Sequence, residues 1–181
     1  MALVHLPAAQ HAKVPWKNGL GVSQIIASEP SGAGYDTLLW QVGGTAFGMD
    51  CPFSSLPQLD RLFMVVEGAG VELVSIDDHG ATRTHPVTAM HLPYAFRGDW
   101  KTDCRLLGGP VRVFNVMARR GKARASVEFL EGGRFSKAAG EIAIAADLGS
   151  LDAWMAAGPG PETCVIETAP AGRRVLVRIN A

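Results

Sequence analysis

The sequence has few cysteines, no excess of either charge and no long apolar run. Its three cysteines, Cys51, Cys104 and Cys164, are odd in number and far apart, so they predict neither a disulfide framework nor a zinc site. Seventeen basic residues balance seventeen acidic ones, and no basic stripe is available for nucleic acid phosphates. No apolar run approaches the length that spans a bilayer, and the first residues lack a basic segment followed by an apolar core. We therefore expect a soluble, cytoplasmic protein without a nucleic acid or membrane partner.

Catalytic and metal-binding motifs are missing as well. His85 and His91 are six residues apart, but Pro86 lies between them, and proline interrupts the strand on which they would share a face. No Ser-His-Asp order, activated-cysteine motif or phosphate-binding glycine loop is present. We predict no metal ion, no cofactor and no catalytic residue.

Glycine and proline, with 21 and 11 residues, are spread along the whole chain and delimit short apolar segments. Turn-forming residues at such short intervals are typical of many short strands in a barrel or sandwich. The predicted strands are residues 21–28, 37–43, 61–67, 71–76, 83–86, 104–107, 112–117, 125–130, 140–146, 164–168 and 173–179. Turns are predicted at residues 77–80 and 108–110. Residues 147–157 allow one or two helical turns, which Gly149 limits.

A strand, a tight corner and a second strand are predicted where Gly68 and Gly70 interrupt an apolar segment. This corner, with the pattern Val-x-Glu-Gly-x-Gly, resembles the first motif of the cupin superfamily. Metal-dependent cupins carry two histidines and a glutamate before the corner. The matching region, residues 53–61, holds no histidine, and Arg61 stands near the carboxylate position. The counterpart of the second motif has Gly98 in place of the last ligand, so the resemblance implies a barrel without a metal site.

Four blocks extend the resemblance. They are residues 15–27 (PWKNGLGVSQIIA), Pro52-Phe53-Ser54, Asp60-Arg61 and residues 107–121 (LGGPVRVFNVMARRG). In this order they closely resemble the HutD/Ves family. The resemblance implies an all-β bicupin, in which two double-stranded β-helix (jelly-roll-like) barrels pack together. Its N-terminal barrel would be residues 1–121 and its C-terminal half residues 122–181, with one shared core. The chain departs from the family pattern at Leu20, Leu56, Gln58 and Val113.

The resemblance also implies a function. Members of the family occur beside histidine-utilisation genes in many bacteria, and their proposed role is to bind a pathway metabolite such as N-formylglutamate and to regulate or limit the pathway. We therefore expect a metal-independent bicupin that binds a small carboxylate as a sensor or governor. One alternative is a metal-independent isomerase or hydrolase that uses Asp60, Glu67 or Lys17 for proton transfer. Another is a module that passes a ligand signal to a second protein, and a homodimer is also left open.

Arg61 is the main candidate for ligand binding. It begins an apolar strand, so its charge needs a partner if the side chain points into a barrel. A ligand carboxylate would accept two parallel hydrogen bonds from the guanidinium group. The alternative is a structural ion pair with Asp60, Glu67 or Glu72. The family resemblance favours the ligand.

The other candidates are Trp16, Lys17, Asn18, Phe53 and Asn115. In the family context, Trp16 and Phe53 would exclude water, Lys17 would add positive charge and Asn18 would offer an amide. A structural turn at Asn-Gly with a core tryptophan is the alternative.

Asn115 needs separate consideration because strand alternation puts Val113, Asn115 and Met117 on one face. If that face is inside the barrel, Asn115 needs a partner, which either a ligand or a backbone carbonyl would supply. Phe63 and Phe96 could line the same pocket or belong to the core.

Overall fold

The computed structural model describes residues 3–16, 19–89, 91–166 and 172–181, and nearly all of its regular structure is β-strand. The strands in the first two thirds are β1 (Val4–Leu6), β2 (Ala12–Pro15), β3 (Val22–Glu29), β4 (Trp40–Phe47), β5 (Cys51–Pro52), β6 (Leu59–Glu67), β7 (Val71–Ile76), β8 (Thr82–Val87), β9 (Tyr94–Arg97), β10 (Lys101–Leu106) and β11 (Val111–Arg119). The remaining strands are β12 (Arg124–Leu130), β13 (Arg134–Lys137), β14 (Ile142–Asp147), β15 (Ala153–Ala156), β16 (Glu162–Val165) and β17 (Arg174–Asn180). One 3-10 helix, Ala8–Gln10, follows β1.

The strands form four antiparallel sheets. The largest has the order β2-β3-β4-β11-β6-β9, and a second sheet, β5-β10-β7-β8, also comes from residues before 120. A five-stranded sheet has the order β1-β15-β14-β17-β12, and β13 pairs with β16. Most strands therefore pair within their own half of the chain. The exception is β1, which comes from the N-terminal half but belongs to the five-stranded sheet of the C-terminal half.

Three apolar clusters lie between these sheets and define their stacking. Val71 and Leu73 of the four-stranded sheet pack with Phe63 and Val65 of β6. The opposite face of the six-stranded sheet packs on the five-stranded sheet through residues such as Trp40, Phe114, Ile144 and Val177. The third cluster joins the five-stranded sheet to β13 and β16. The layers therefore follow the order four, six, five and two strands, and both faces of the six-stranded sheet are covered.

The N-terminal strand ties the two halves together. Val4, His5 and Leu6 pair with Met155, Trp154 and Ala153 of β15. Two further contacts fix this segment: the His5 ring stacks on Trp154 with centroids 5.1 Å apart, and the Ala8 amide donates to Asp152 at 2.8 Å. A division of the chain at residue 121 would therefore remove β1 from its sheet, and the two domains stay a prediction.

The prediction of an all-β chain is confirmed, and a strand is present at each of the eleven predicted places, although residues 167 and 168 lie outside the described residues. The possible helix at residues 147–157 is wrong. Asp147 instead accepts hydrogen bonds from the Gly149 and Ser150 amides, which closes a turn, and β15 follows as a strand. Six short strands were not predicted: β1, β2, β5, β9, β13 and β15. No helix in the described ranges is long and apolar enough to cross a membrane.

Gly98 is the position in this chain where the second cupin motif would place its last metal ligand, and its backbone leaves no room for a side chain. Its amide donates to Leu59 O at 2.7 Å, and its carbonyl accepts from the Leu56 amide at 2.7 Å. A Cβ atom at this position would overlap with Leu56 O and lie 2.8 Å from Leu59 O. Two backbone segments thus occupy the space that a side chain would need.

We predict that Gly98→Ala lowers the free energy of unfolding by about 1–3 kcal/mol, because the methyl group would push apart two hydrogen-bonded backbone segments. Gly34→Ala is the matched control, since a Cβ there meets nothing within 4 Å. Urea unfolding followed by circular dichroism measures both variants. Equal stability of the two would contradict the packing described for Gly98.

Candidate functional site

A cavity opens on the inner face of the six-stranded sheet, within the N-terminal half. It includes about 530 Å³ of space between atoms, part of which is open to solvent. Four predicted site residues, Trp16, Phe53, Arg61 and Asn115, line it together. The other two, Lys17 and Asn18, lie outside the described residues. The remaining lining residues are Ser23, Tyr35, Thr45, Phe47, Pro52, Ser54, Leu56, Phe63, Val113 and Met117.

Arg61 is buried in this cavity, with 7% of its surface exposed. Strand β6 places it between Met117 of β11 and Phe96 of β9. Its guanidinium carbon lies 4.8 Å from the centre of the Phe53 ring and 5.0 Å from that of Phe96. Aromatic faces attract a cation, but they accept no conventional hydrogen bond from it. Burial lowers the pKa of Arg61 to about 10, so the side chain is still charged near neutral pH.

The ion pairs considered for Arg61 are formed by other arginines. Asp60 pairs with Arg120 at 2.7 Å, Glu67 with Arg112 at 3.0 Å, and Glu72 approaches Arg105 at 3.7 Å. Within the described part of the chain, the buried Nε atom of Arg61 has no hydrogen-bond partner. The structural ion pair is therefore not the arrangement that the structure shows.

Asn115 is a half-buried polar side chain on the cavity wall. Val113, Asn115 and Met117 all line the cavity, whereas Phe114 and Val116 pack in the cluster on the opposite face of the sheet, as strand alternation predicts. Its Oδ1 atom is buried without a partner among the described residues. The structural alternative, an amide held by a backbone carbonyl, is not seen for the described residues. A donor and an acceptor without partners, Arg61 Nε and Asn115 Oδ1, thus belong to residues that line one cavity.

A hydrogen-bonded row of side chains forms another part of the wall. Trp16 Nε1 donates to Ser23 Oγ at 2.9 Å, and Ser23 Oγ lies 2.9 Å from Thr45 Oγ1. The Trp16 ring contacts Phe47 and Phe53, with centroids 5.4 and 6.5 Å apart. Trp16 is therefore part of the aromatic wall and also orients a pair of hydroxyl groups.

Sequence reasoning missed Ser23, Tyr35 and Thr45. Tyr35 lies in the loop between β3 and β4, which Arg119 holds by donating to the carbonyls of Tyr35 and Leu38 at 2.6 Å each. No local motif identifies a loop residue that reaches a barrel interior. Thr45 had a usable signal, because it follows two glycines in a strand whose end was predicted at residue 43, four residues too early.

The lining offers binding groups rather than groups for acid–base catalysis. No described lining residue is a histidine, cysteine, aspartate or glutamate. Cys104, behind the wall, is a poor nucleophile because burial raises the pKa of its thiol to about 12. In the ranges that the structure describes, no three histidine, cysteine, aspartate or glutamate side chains are grouped to hold a metal ion. The arrangement favours an anion that also donates a hydrogen bond.

Comparison with known proteins gives a family and relatives. A family model described as HutD matches residues 8–156. Over 127 residues the chain is 30% identical to an uncharacterized 21.2 kDa protein in the hutC 3′ region of Pseudomonas putida, and over 113 residues it is 27% identical to protein Ves of Cronobacter sakazakii (strain ATCC BAA-894). These matches cover 70% and 62% of this chain, but only 64% and 58% of the two relatives.

Solved structures extend the similarity to the whole chain. A conserved protein of unknown function from Pseudomonas aeruginosa PAO1 is 27% identical, with a TM-score of 0.81 and full coverage of both chains. HutD from Pseudomonas fluorescens SBW25, solved in a formate condition, is 26% identical, with a TM-score of 0.79 and coverage of 99% and 98%. An oxalate decarboxylase from Lactobacillus farciminis is only 5% identical, with a TM-score of 0.57 and coverage of 99% and 86%. This last likeness concerns the fold alone, which is cupin-like.

We predict that Arg61→Met raises the free energy of unfolding of the ligand-free protein by about 1–3 kcal/mol, because an apolar side chain replaces a buried charge without an ionic partner. The midpoint of thermal unfolding should rise by about 2 °C or more. Calorimetry of the dialysed protein measures this change.

Arg120→Met is the control for that substitution. Arg120 donates to Asp60 and Asp99 at 2.7 and 2.8 Å, so its loss should lower stability, by up to about 1 kcal/mol for a partly exposed network. A loss of stability in Arg61→Met as well would show that Arg61 has a structural role.

Proposed function

The chain belongs to the HutD family of cupin-like proteins, and from this premise we propose that its cavity binds a small carboxylate without a metal ion. The observation that carries the proposal is the buried guanidinium group of Arg61, whose Nε atom has no partner among the described residues. A buried charge without compensation is costly. A carboxylate would remove this cost on binding, since it accepts two parallel hydrogen bonds from guanidinium.

The ligand that we propose is an intermediate of histidine degradation, such as N-formylglutamate. Arg61 binds its carboxylate, Asn115 and Asn18 orient it, Lys17 adds positive charge, and Trp16 and Phe53 exclude water. The protein acts in the cytoplasm as a sensor or governor of histidine utilisation. The support for this role is the family membership together with the donors and acceptors of the cavity wall.

Two barrels in a bicupin arrangement belong to the same proposal. The sheets of four and six strands enclose the cavity in one half. The sheets of five and two strands enclose a core of small residues such as Ala143, Ala145 and Ala156, with Phe135 and Trp154. We place the binding function in the N-terminal barrel because the cavity lined by Arg61 and Asn115 lies there.

An isomerase or hydrolase gains no support from the described part of the cavity. Asp60 and Glu67, two of its candidate proton carriers, are paired with Arg120 and Arg112 and do not line the cavity. Lys17, the third, lies outside the described residues. A role in passing the signal to another protein is compatible with the carboxylate sensor.

Calorimetric titration of the chelator-treated protein should show binding of N-formylglutamate, and Arg61→Ala should weaken it by at least about 30-fold, because a desolvated charge pair is lost. Arg61→Lys is the control that keeps the charge but not the planar fork, and we expect an intermediate affinity. Elemental analysis of the same sample measures bound metal. Unchanged affinity in Arg61→Ala would refute the assignment.

The affinity for the carboxylate should also fall at high pH. Burial lowers the pKa of the free Arg61 to about 10, whereas a bound carboxylate favours the charged form. Affinity should therefore be constant between about pH 7 and 9 and fall above about pH 10, where the free guanidinium loses its proton. Titrations in buffers of different ionisation enthalpy should show proton uptake near pH 10.

Tyr35→Phe is the control for this pH dependence, because Tyr35 lines the cavity and its charge, like that of Cys104, acts on Arg61. The fall in affinity should persist in that variant. A pH profile that is flat through the region in which the protein stays folded would mean that Arg61 does not bind the ligand.

A further inference from the structure

The strand register places three polar groups of the cavity in a diagonal row. On β11, Met117 is the neighbour of Arg61, and Val113 is the neighbour of Thr45. Asn115 lies between these two positions on the same strand. Neighbouring strands are about 4.8 Å apart, and alternate residues on one strand are about 7 Å apart. The backbone therefore holds Arg61, Asn115 and Thr45 in this order across three adjacent strands, with the amide in the middle.

The hydroxyl groups at the Thr45 end have one hydrogen to spare. Ser23 and Thr45 carry one hydroxyl hydrogen each, and a single hydrogen bond joins them. Trp16 Nε1 can only donate, so it uses an acceptor position of Ser23 and takes up no hydroxyl hydrogen. Whichever hydroxyl donates to the other, one hydrogen remains, and among the described residues no second acceptor is recorded for it. Thr45 is only 5% exposed and lines the cavity, so this hydrogen is available to a bound molecule.

The middle of the row has the opposite requirement. Asn115 Oδ1 is a buried acceptor that lacks a donor among the described residues. A buried acceptor left without a donor destabilises a complex, and a carboxylate has no hydrogen with which to satisfy it. The wall thus presents a donor, an acceptor and a second donor in sequence.

We infer that Thr45 and Ser23 together form a hydroxyl donor for a second acidic or carbonyl group of the ligand, and that Asn115 selects an N–H or O–H donor between the two acceptor groups. The inference rests on the proposed function, because it takes the first acceptor group to be the carboxylate at Arg61. The ligand class that fits is an amino-acid derivative with two acceptor groups and an N–H, such as an N-acylated amino dicarboxylate. A simple monocarboxylate satisfies only one of the three groups.

Affinities for three probe acids test this assignment. Glutarate should bind wild-type protein about tenfold or more tightly than butyrate, because its second carboxylate accepts the hydroxyl hydrogen. N-formyl-L-glutamate should bind about tenfold or more tightly than its N-methyl derivative, which has no N–H for Asn115. Asn115→Leu should remove the second preference and keep the first.

The hydroxyl pair predicts an unusual pattern in variants. Ser23→Ala and Thr45→Val each leave one free hydroxyl hydrogen, so each single variant should keep most of the preference for glutarate over butyrate. Ser23→Ala/Thr45→Val leaves none, and the preference should fall to within about twofold. Circular dichroism and thermal unfolding test whether the double variant is folded.

The outcomes separate this inference from the proposed function. If the acids bind and require Arg61, but the double variant keeps the preference for glutarate, the role of the hydroxyl pair is refuted and the carboxylate site stands. If the double variant does not fold, the comparison of N-formyl-L-glutamate with its N-methyl derivative on wild-type protein decides, and equal affinities overturn the inferred ligand class. If none of the acids binds wild-type protein, the proposed function itself fails.

Discussion

The six-stranded sheet is covered on both faces, and this double burial governs the rest of the molecule. Its central strands β6 and β11 are apolar on the face toward the five-stranded sheet and largely apolar on the face toward the four-stranded sheet. In such a sheet each inward polar side chain costs free energy unless it is paired. Arg61, Thr45 and Asn115 are therefore conspicuous. Thr45 is hydrogen-bonded to Ser23, whereas Arg61 Nε and Asn115 Oδ1 have no partner among the described residues.

The surroundings of Arg61 keep its charge but leave its Nε atom without a hydrogen-bond partner among the described residues. Phe53 and Phe96 offer ring faces, and the nearby carboxylates are paired with other arginines at the surface. A buried guanidinium group attracts an anion more strongly than an exposed one does, because the charges interact through a less polar medium. The described lining residues include no histidine, cysteine, aspartate or glutamate.

The sequence predicted the strands that have strong apolar patterns and turn residues, together with the shared location of Arg61, Asn115, Trp16 and Phe53. Periodicity put Asn115 on one face of β11 with Val113 and Met117, because alternation is a local property of a strand, and in the structure that face lines the cavity. The short strands β1, β5 and β15 escaped prediction because two to four residues carry little periodicity and pair with distant partners. Tyr35 and the Ser23–Thr45 pair escaped for a related reason, since their position depends on loop geometry and register. The role of the predicted site residues in binding stays a prediction.

The N-terminal strand β1 lies in the sheet of the C-terminal half, and this placement has a consequence for the cooperativity of folding. The first strand of the chain completes a sheet whose other strands lie more than a hundred residues later, so that sheet closes only after nearly the whole chain is available. Contacts of such long sequence separation are typical of slow folding. They also connect the two halves, since the pairing of β1 and the hydrogen bond of the Ala8 amide to Asp152 help to hold the segment that leads into β2 and Trp16. A molecule bound in the cavity would therefore protect the distant sheet from local opening, although it touches no residue of that sheet.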